Sequence, residues 1–208
     1  MCKEFESTNL QQFEALMSLT NLGSLDEVKN RIVAEKGIST FHYLQCSDHT
    51  MVRRAATEAL LNLFPHIAMY GHLKQKDPMK LFSAFCQLGE EDPQTAAAAL
   101  GCVAMGVQDE EVANNFLQAR GCESLVFALE SRSPEVPNAA DLILRAAVAC
   151  MYLAENPTTR PMLTKDGILE ALQEAREHTL TLGEQAIAAA SACKDAAEKI
   201  GEAVPVGQ

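Results

Sequence analysis

The chain has 208 residues, 48% of them hydrophobic and 5% aromatic, with no Trp and a formal net charge of −11. No apolar run is long enough for a bilayer, and no charged-then-apolar segment opens the chain, so a membrane span and secretion are not expected. The acidity repels phosphate backbones and argues against nucleic-acid binding; its plain reading is solubility, and its functional reading is attraction to a basic partner segment.

Residues 1–8 are polar and read as a disordered tail. Residues 9–22 follow as an amphipathic helix. Leu10, Phe13, Leu16 and Met17 fall on one side at spacings of three and four. Gly23-Ser24 ends it. Asp26 is placed to cap a helix over 27–35. Gly37 breaks the chain before a short helix over 38–46. A longer helix runs over 49–64. Two short helices followed by a long one make a first unit at 26–64.

The second unit covers 67–107. Gly71 and the stretch from Lys74 to Pro78 weaken its first helix. Met79–Leu88 is its second helix, and Glu90-Glu-Asp92 opens a third over 94–106, where acidic residues suit the helix dipole. The third unit spans 109–155. Asp109 starts it, Gly121 divides its first two helices, and Pro134-Glu-Val-Pro-Asn138 is an insertion before a long helix over 138–154. The fourth unit spans 157–201, with Gly167 as divider, a turn at Thr179–Gly183 and a last helix over 184–200. Residues 202–208 read as a second tail. No segment alternates in the manner of a half-buried strand.

One phrase recurs through the long helices. Phe13-Glu-Ala-Leu-Met-Ser-Leu-Thr-Asn-Leu22 returns as Arg54-Ala-Ala-Thr-Glu-Ala-Leu-Leu-Asn-Leu63. Weaker copies end at Val103, Leu153 and Cys193, with steps of 41, 40, 50 and 40 residues. A helical period near 40 predicts an all-α fold. It is a right-handed armadillo-type α-solenoid of about four three-helix repeats plus a leading helix, one domain over 9–201. Such folds are usually binding surfaces. Ala56, Ala96, Ala97 and Ala146 are expected in close helix contacts.

The opening units carry a family resemblance. Phe13–Leu22, then Val28-Lys-Asn-Arg-Ile-Val-Ala-Glu-Lys-Gly37, then Arg53–Leu63 resemble the C-terminal part of the UCS-domain myosin chaperones. The likeness is tight over about residues 10–65 and generally armadillo-like beyond. It implies an armadillo solenoid that binds the myosin motor domain and assists its folding or assembly, often alongside Hsp90. Many members dock Hsp90 through a TPR domain. Nothing here resembles one, so a link to Hsp90 would run through parts outside this chain.

Asn21 and Asn62 hold the same place in successive long helices, the ones that line the concave face in armadillo proteins. An amide there can offer a donor and an acceptor to an extended peptide. One and two turns earlier come Met17, Glu58 and Arg54. Tyr152 and Arg145 would extend this strip along a later long helix. The bland reading is that the amides bond neighbouring loops, and that Arg54 and Glu58 pair on a solvated face. The rival function is a structural scaffold mediating protein–protein or self-association, with the helix over 9–22 as the associating element. An importin-like cargo binder would need Trp on the long helices.

His42, Cys46 and His49 have a zinc-like spacing, but a fourth ligand is missing nearby and the plain reading prevails. No metal or other cofactor is expected. Nucleophile-elbow and phosphate-loop motifs are absent, so no enzyme activity is expected. The seven Cys are scattered with no CxxC spacing. They read as reduced, mostly buried thiols of a cytoplasmic protein.

Overall fold

The computed structural model describes residues 2–131, 138–164, 167–182 and 186–201. These form thirteen helices and no strand. The insertion at 134–138, apart from Asn138, and the tail at 202–208 lie outside the described residues. The chain divides into two compact units, Met1–Leu73 and Lys74–Gln208, within the span read as one armadillo domain.

The first unit holds α1 (Cys2–Leu22), α2 (Asp26–Ala34), α3 (Gly37–Gln45), α4 (Thr50–Asn62) and α5 (Ile67–Leu73). Helix α1 begins ahead of residue 9; no Gly or Pro interrupts it. Leu25, not Asp26, holds the N-cap position of α2. Asp26 sits inside the first turn, where its charge still suits the helix dipole. The long helices α1 and α4 pack together, and α3 packs on α4. Leu16, Leu60, Leu63, Met69 and Leu73 form the buried centre.

The second unit holds α6 (Lys76–Cys86), α7 (Pro93–Gly106), α8 (Glu110–Gln118), α9 (Gly121–Glu130), α10 (Ala139–Glu155), α11 (Arg160–Leu163), α12 (Ile168–Thr181) and α13 (Ile187–Gly201). The helices α7, α10 and α13 stack in order, and the second helices of the repeats, α6, α9 and α12, do the same. That is the layering expected of three-helix repeats. Asp92 caps α7 by accepting from the Thr95 amide at 3.2 Å and the Thr95 hydroxyl at 2.7 Å. Asp109 caps α8 through the Glu111 and Val112 amides. Between α6 and α9, the Ser83 hydroxyl lies 2.7 Å from both the Ala119 carbonyl and the Ser124 hydroxyl. This polar stitch satisfies groups that the repeat contact buries.

Three glycines mark helix junctions, but not for one reason. At the first two, the left-handed residue is the one before the glycine: Lys36 has φ 62° and Arg120 has φ 65°. Gly37 and Gly121 are needed for space. A Cβ on Gly37 would stand 2.4 Å from Ile32 Cγ2, and one on Gly121 would stand 2.6 Å from the Phe116 ring. Gly167 alone takes the positive φ itself, at 77°, with nothing within 4 Å of a Cβ.

Ala56, Ala96 and Ala146 are fully buried, as the close-packing expectation requires. Ala97 is only half-buried. Ala56→Leu is expected to overpack the first unit and lower its stability by about 1–3 kcal/mol. A thermal melt checks this; an unchanged midpoint would contradict the burial of Ala56.

Candidate functional site

Asn62 is the last residue of α4, and its Nδ2 donates to the Thr20 carbonyl at 3.1 Å. Thr20 lies in the last turn of α1, where carbonyls lack a partner within the helix. The amide of one long helix thus caps the end of the preceding one. Asn21 is the next residue along α1. Its side chain is exposed, and its carbonyl accepts from Ser24 Oγ at 3.1 Å. The Asn62–Thr20 bond thus joins the C-terminal ends of α1 and α4, and Asn21 is the neighbour of the residue that Asn62 holds.

Met17 stands one turn back on α1 and is half-buried. Glu58 and Arg54 stand one and two turns back on α4, also half-buried. So five of the seven residues singled out by sequence sit on two adjacent helices of the first unit. Tyr152 and Arg145 stand on α10 in the second unit, two turns apart. Arg145 is engaged: its Nε donates to Asp141 Oδ2 at 3.0 Å and its Nη1 to the Ala97 carbonyl at 3.1 Å. Arg145 thus ties α10 to α7 much as Asn62 ties α4 to α1.

Two clefts went unread in the sequence. One, of about 300 Å³, lies among α1, α2 and α3; Leu19, Val28, Ile32 and Phe41 line it, with Arg31 and Glu35 at its rim. The other, of about 480 Å³, lies in the second unit between Lys74 and the acidic start of α8 at Asp109, Glu110 and Glu111. Lys74 Nζ is 2.8 Å from Asp109 Oδ2. The hydrogen bond to Asp109 raises the Lys74 pKa above its ordinary value. Burial works against the Asp109 charge, but hydrogen bonds from Lys74 and from the Val112 amide hold its carboxyl below the usual range.

The His42 ring packs edge-on against His72 with centroids 4.9 Å apart, and His42 Nδ1 lies 3.2 Å from Gln45 Oε1. Cys46 is exposed and His49 half-buried. Among the described residues, no group of three or more His, Cys, Asp or Glu could hold a metal ion. The described cysteines are free thiols; Cys46 is exposed, and Cys86, Cys102, Cys122, Cys150 and Cys193 are buried. Burial pushes the Cys86, Cys102 and Cys150 thiols far up and Cys193 to about 12. A thiol reagent on native protein is therefore expected to label Cys46 quickly and these five only after unfolding. Mass spectrometry of labelled peptides checks it; rapid native labelling at Cys150 would contradict the packing.

No described helix is long and apolar enough to cross a membrane. The helix order and layering define an armadillo-repeat protein, an α-solenoid fold with no strand among the described residues. No protein-family model matches the chain. It is distantly homologous to unc-45 homolog B. The Xenopus tropicalis protein is 35% identical over 108 residues, covering 48% of this chain and 11% of the relative. The Homo sapiens protein is 33% identical over 99 residues, covering 46% and 10%. The chain thus spans about a tenth of the length of these relatives. In fold it is similar to UNC-45 from Drosophila melanogaster, with a TM-score of 0.77 and 24% identity over 91% of this chain and 23% of that one. A designed armadillo repeat protein in complex with the peptide (KR)4 is also similar, with a TM-score of 0.51 and 17% identity over 91% of this chain and 98% of that one.

Proposed function

We propose that this chain is the client-binding segment of a UCS-type co-chaperone that assists folding or assembly of the myosin motor domain. The homology to unc-45 homolog B and the resemblance over residues 10–65 support the family part of this reading. The observation that carries the site is the bond from Asn62 Nδ2 to the Thr20 carbonyl, which sets the end of α4 against the last turn of α1, where Asn21 follows Thr20; Met17 stands one turn back on α1, and Glu58 and Arg54 one and two turns back on α4. Amide, apolar and charged groups in one strip suit an extended or partly unfolded segment better than a small molecule. Tyr152 and Arg145, two turns apart on α10, are the candidate contact residues of the second unit. The net charge of −11 favours basic client segments, and the designed armadillo protein that holds (KR)4 offers a parallel. On this reading the chain works in the cytoplasm, without catalysis or a cofactor. Hsp90 enters only through other parts of such a chaperone.

A second reading has its own support. The Asn62 amide is already committed to Thr20, and Arg145 to Ala97 and Asp141, which is what a plain scaffold would do with them. The two asparagines separate the readings. Asn21→Ala is expected to weaken binding of myosin motor segments several-fold, at about 0.5–1.5 kcal/mol for a lost hydrogen bond, with the melting midpoint unchanged. Asn62→Ala should lower the midpoint as well, because the Thr20 carbonyl loses its donor. Titration of labelled motor-domain peptides against both variants, with melts alongside, is the experiment. Unaltered peptide binding in Asn21→Ala would defeat the client-binding reading and leave the scaffold.

A further inference from the structure

The apolar cleft of the first unit, which none of the asparagine-strip residues lines, has a filled counterpart in the second unit. Residues 28–41 of α2 and α3 correspond one for one to residues 112–125 of α8 and α9. Lys36 and Arg120 share one left-handed backbone, with φ and ψ of 62° and 28° against 65° and 33°. Gly37 and Gly121 follow them, set close against Ile32 and Phe116. The Thr40 hydroxyl donates back to the Lys36 carbonyl at 3.3 Å, and the Ser124 hydroxyl to the Arg120 carbonyl at 3.1 Å. A long helix precedes each piece: α1, which brings Leu19 to the cleft, and α7, which packs on α8.

In the second unit α6 covers this arrangement, packing on α7, α8 and α9 together. Ser83 Oγ of α6 lies 2.7 Å from both the Ala119 carbonyl and the Ser124 hydroxyl, and Gln87 Nε2 donates to Ser124 Oγ at 2.9 Å. Asn115 Nδ2 donates to the Lys74 carbonyl, just ahead of α6, at 2.7 Å. Under that cover Val112 and Ser124 are fully buried, and Gly121 is buried too. Among the described residues, no helix of the first unit takes that place on α1–α3. There Val28 and Gly37 are half-buried, Thr40 is exposed, and a cleft of about 300 Å³ stands open.

We infer that the cleft is the seat of an amphipathic helix of α6's chemistry, the second helix of a further armadillo-type repeat, laid across α1, α2 and α3 as α6 lies across α7, α8 and α9. The pattern it needs is that of α6, with Met79, Phe82, Phe85 and Cys86 buried and Lys80 and Ala84 exposed. Its apolar side covers Val28, Ile32 and Phe41, and a short polar side chain in the place of Ser83 meets the Thr40 hydroxyl. A second copy of this chain fits less well. Its own last second helix, α12, exposes Glu170, Gln173, Glu174, Arg176 and Glu177, which would bring charge to an apolar cleft.

The probe is a fluorescent peptide of residues 75–88, the α6 sequence, held helical by a hydrocarbon staple between its exposed positions 80 and 84. It is titrated into the 208-residue chain under reducing conditions, and amide exchange is run on the saturated complex. Saturable binding is expected, with slower exchange in α2 and α3. Thr40→Arg changes an exposed side chain and should weaken binding about tenfold, because a long cation then stands where Ser124 meets Ser83 in the filled case. Val28→Asp, which charges the apolar lining, should weaken it to the same degree, and so should Ser83→Arg in the peptide. Absence of saturable binding overturns the proposal. So do equal affinities for wild type and both cleft variants. Protection gained in α8 and α9 alone would mean that the peptide had displaced α6, and it overturns the proposal too. Light scattering on the chain without peptide covers the other occupant: a doubled mass that Val28→Asp abolishes would seat a second copy in the cleft and overturn the assignment.

Discussion

Gly121→Ala is expected to destabilise the second unit by about 3 kcal/mol, the upper end of overpacking, while Gly167→Ala costs about 1 kcal/mol from backbone strain alone. Both glycines open the second helix of a repeat, and in the sequence they look alike. At Gly121 the new methyl carbon would stand 2.6 Å from two Phe116 ring carbons and 2.7 Å from the Phe116 carbonyl oxygen. Phe116 is fully buried, so its ring has nowhere to swing, and the carbonyl belongs to the backbone of α8. Relief requires the α8–α9 corner to open. At Gly167 nothing stands within 4 Å of the added carbon, and the only penalty is a positive φ of 77° on a residue with a side chain. Urea unfolding of the two variants gives the comparison. Phe116→Leu combined with Gly121→Ala should recover part of the loss, because it frees the ring contact and leaves the carbonyl contact in place. Equal shifts for the two alanine variants would show that the junctions are equivalent after all.

That difference shows where the sequence could be read and where it could not. The long helices were legible because Ala-rich, Leu-rich phrases repeat at a helical period near 40, and α4, α7 and α10 follow those phrases to within a few residues. A glycine between short helices was legible as a break. Its job was not, because a glycine that opens a helix by taking positive φ and one that makes room for Phe116 leave the same letter. Lys36 and Arg120 carry the left-handed turn although neither residue type advertises it. The asparagine pair was legible as a position in the repeat. The bond from Asn62 to Thr20 was not, because it spans 42 residues and depends on how the ends of α1 and α4 align. The apolar cleft was hidden for a like reason: Leu19, Val28 and Phe41 belong to three separate helical faces and become one surface only when α1, α2 and α3 come together.

Acid is expected to loosen the first unit through His72, by about 2 kcal/mol between pH 6.5 and pH 4. His72 is 9% exposed, and its Nε2 has no hydrogen-bond partner. Burial pushes its pKa from 6.5 down to about 4, and the neighbouring His42 ring adds to the fall. A histidine held neutral in the fold and free to protonate when unfolded gives the unfolded state more bound protons as pH drops. Stability from this group is therefore whole above pH 6.5, declines through the interval, and stops declining below about pH 4, where both states carry the proton. The full shift would correspond to about 3 kcal/mol, and the lower figure allows for the water that reaches the ring edge. Carboxylates titrate near the bottom of the same interval, so the reading is a difference between proteins. His72→Leu removes the titrating ring, and its stability should fall less steeply than wild type over this range. Amide exchange in α3 and α5 should quicken with acid in wild type and much less in the variant. Parallel stability curves for the two proteins would mean that His72 protonates in the folded state without cost, and the buried, unpartnered nitrogen would then need another explanation.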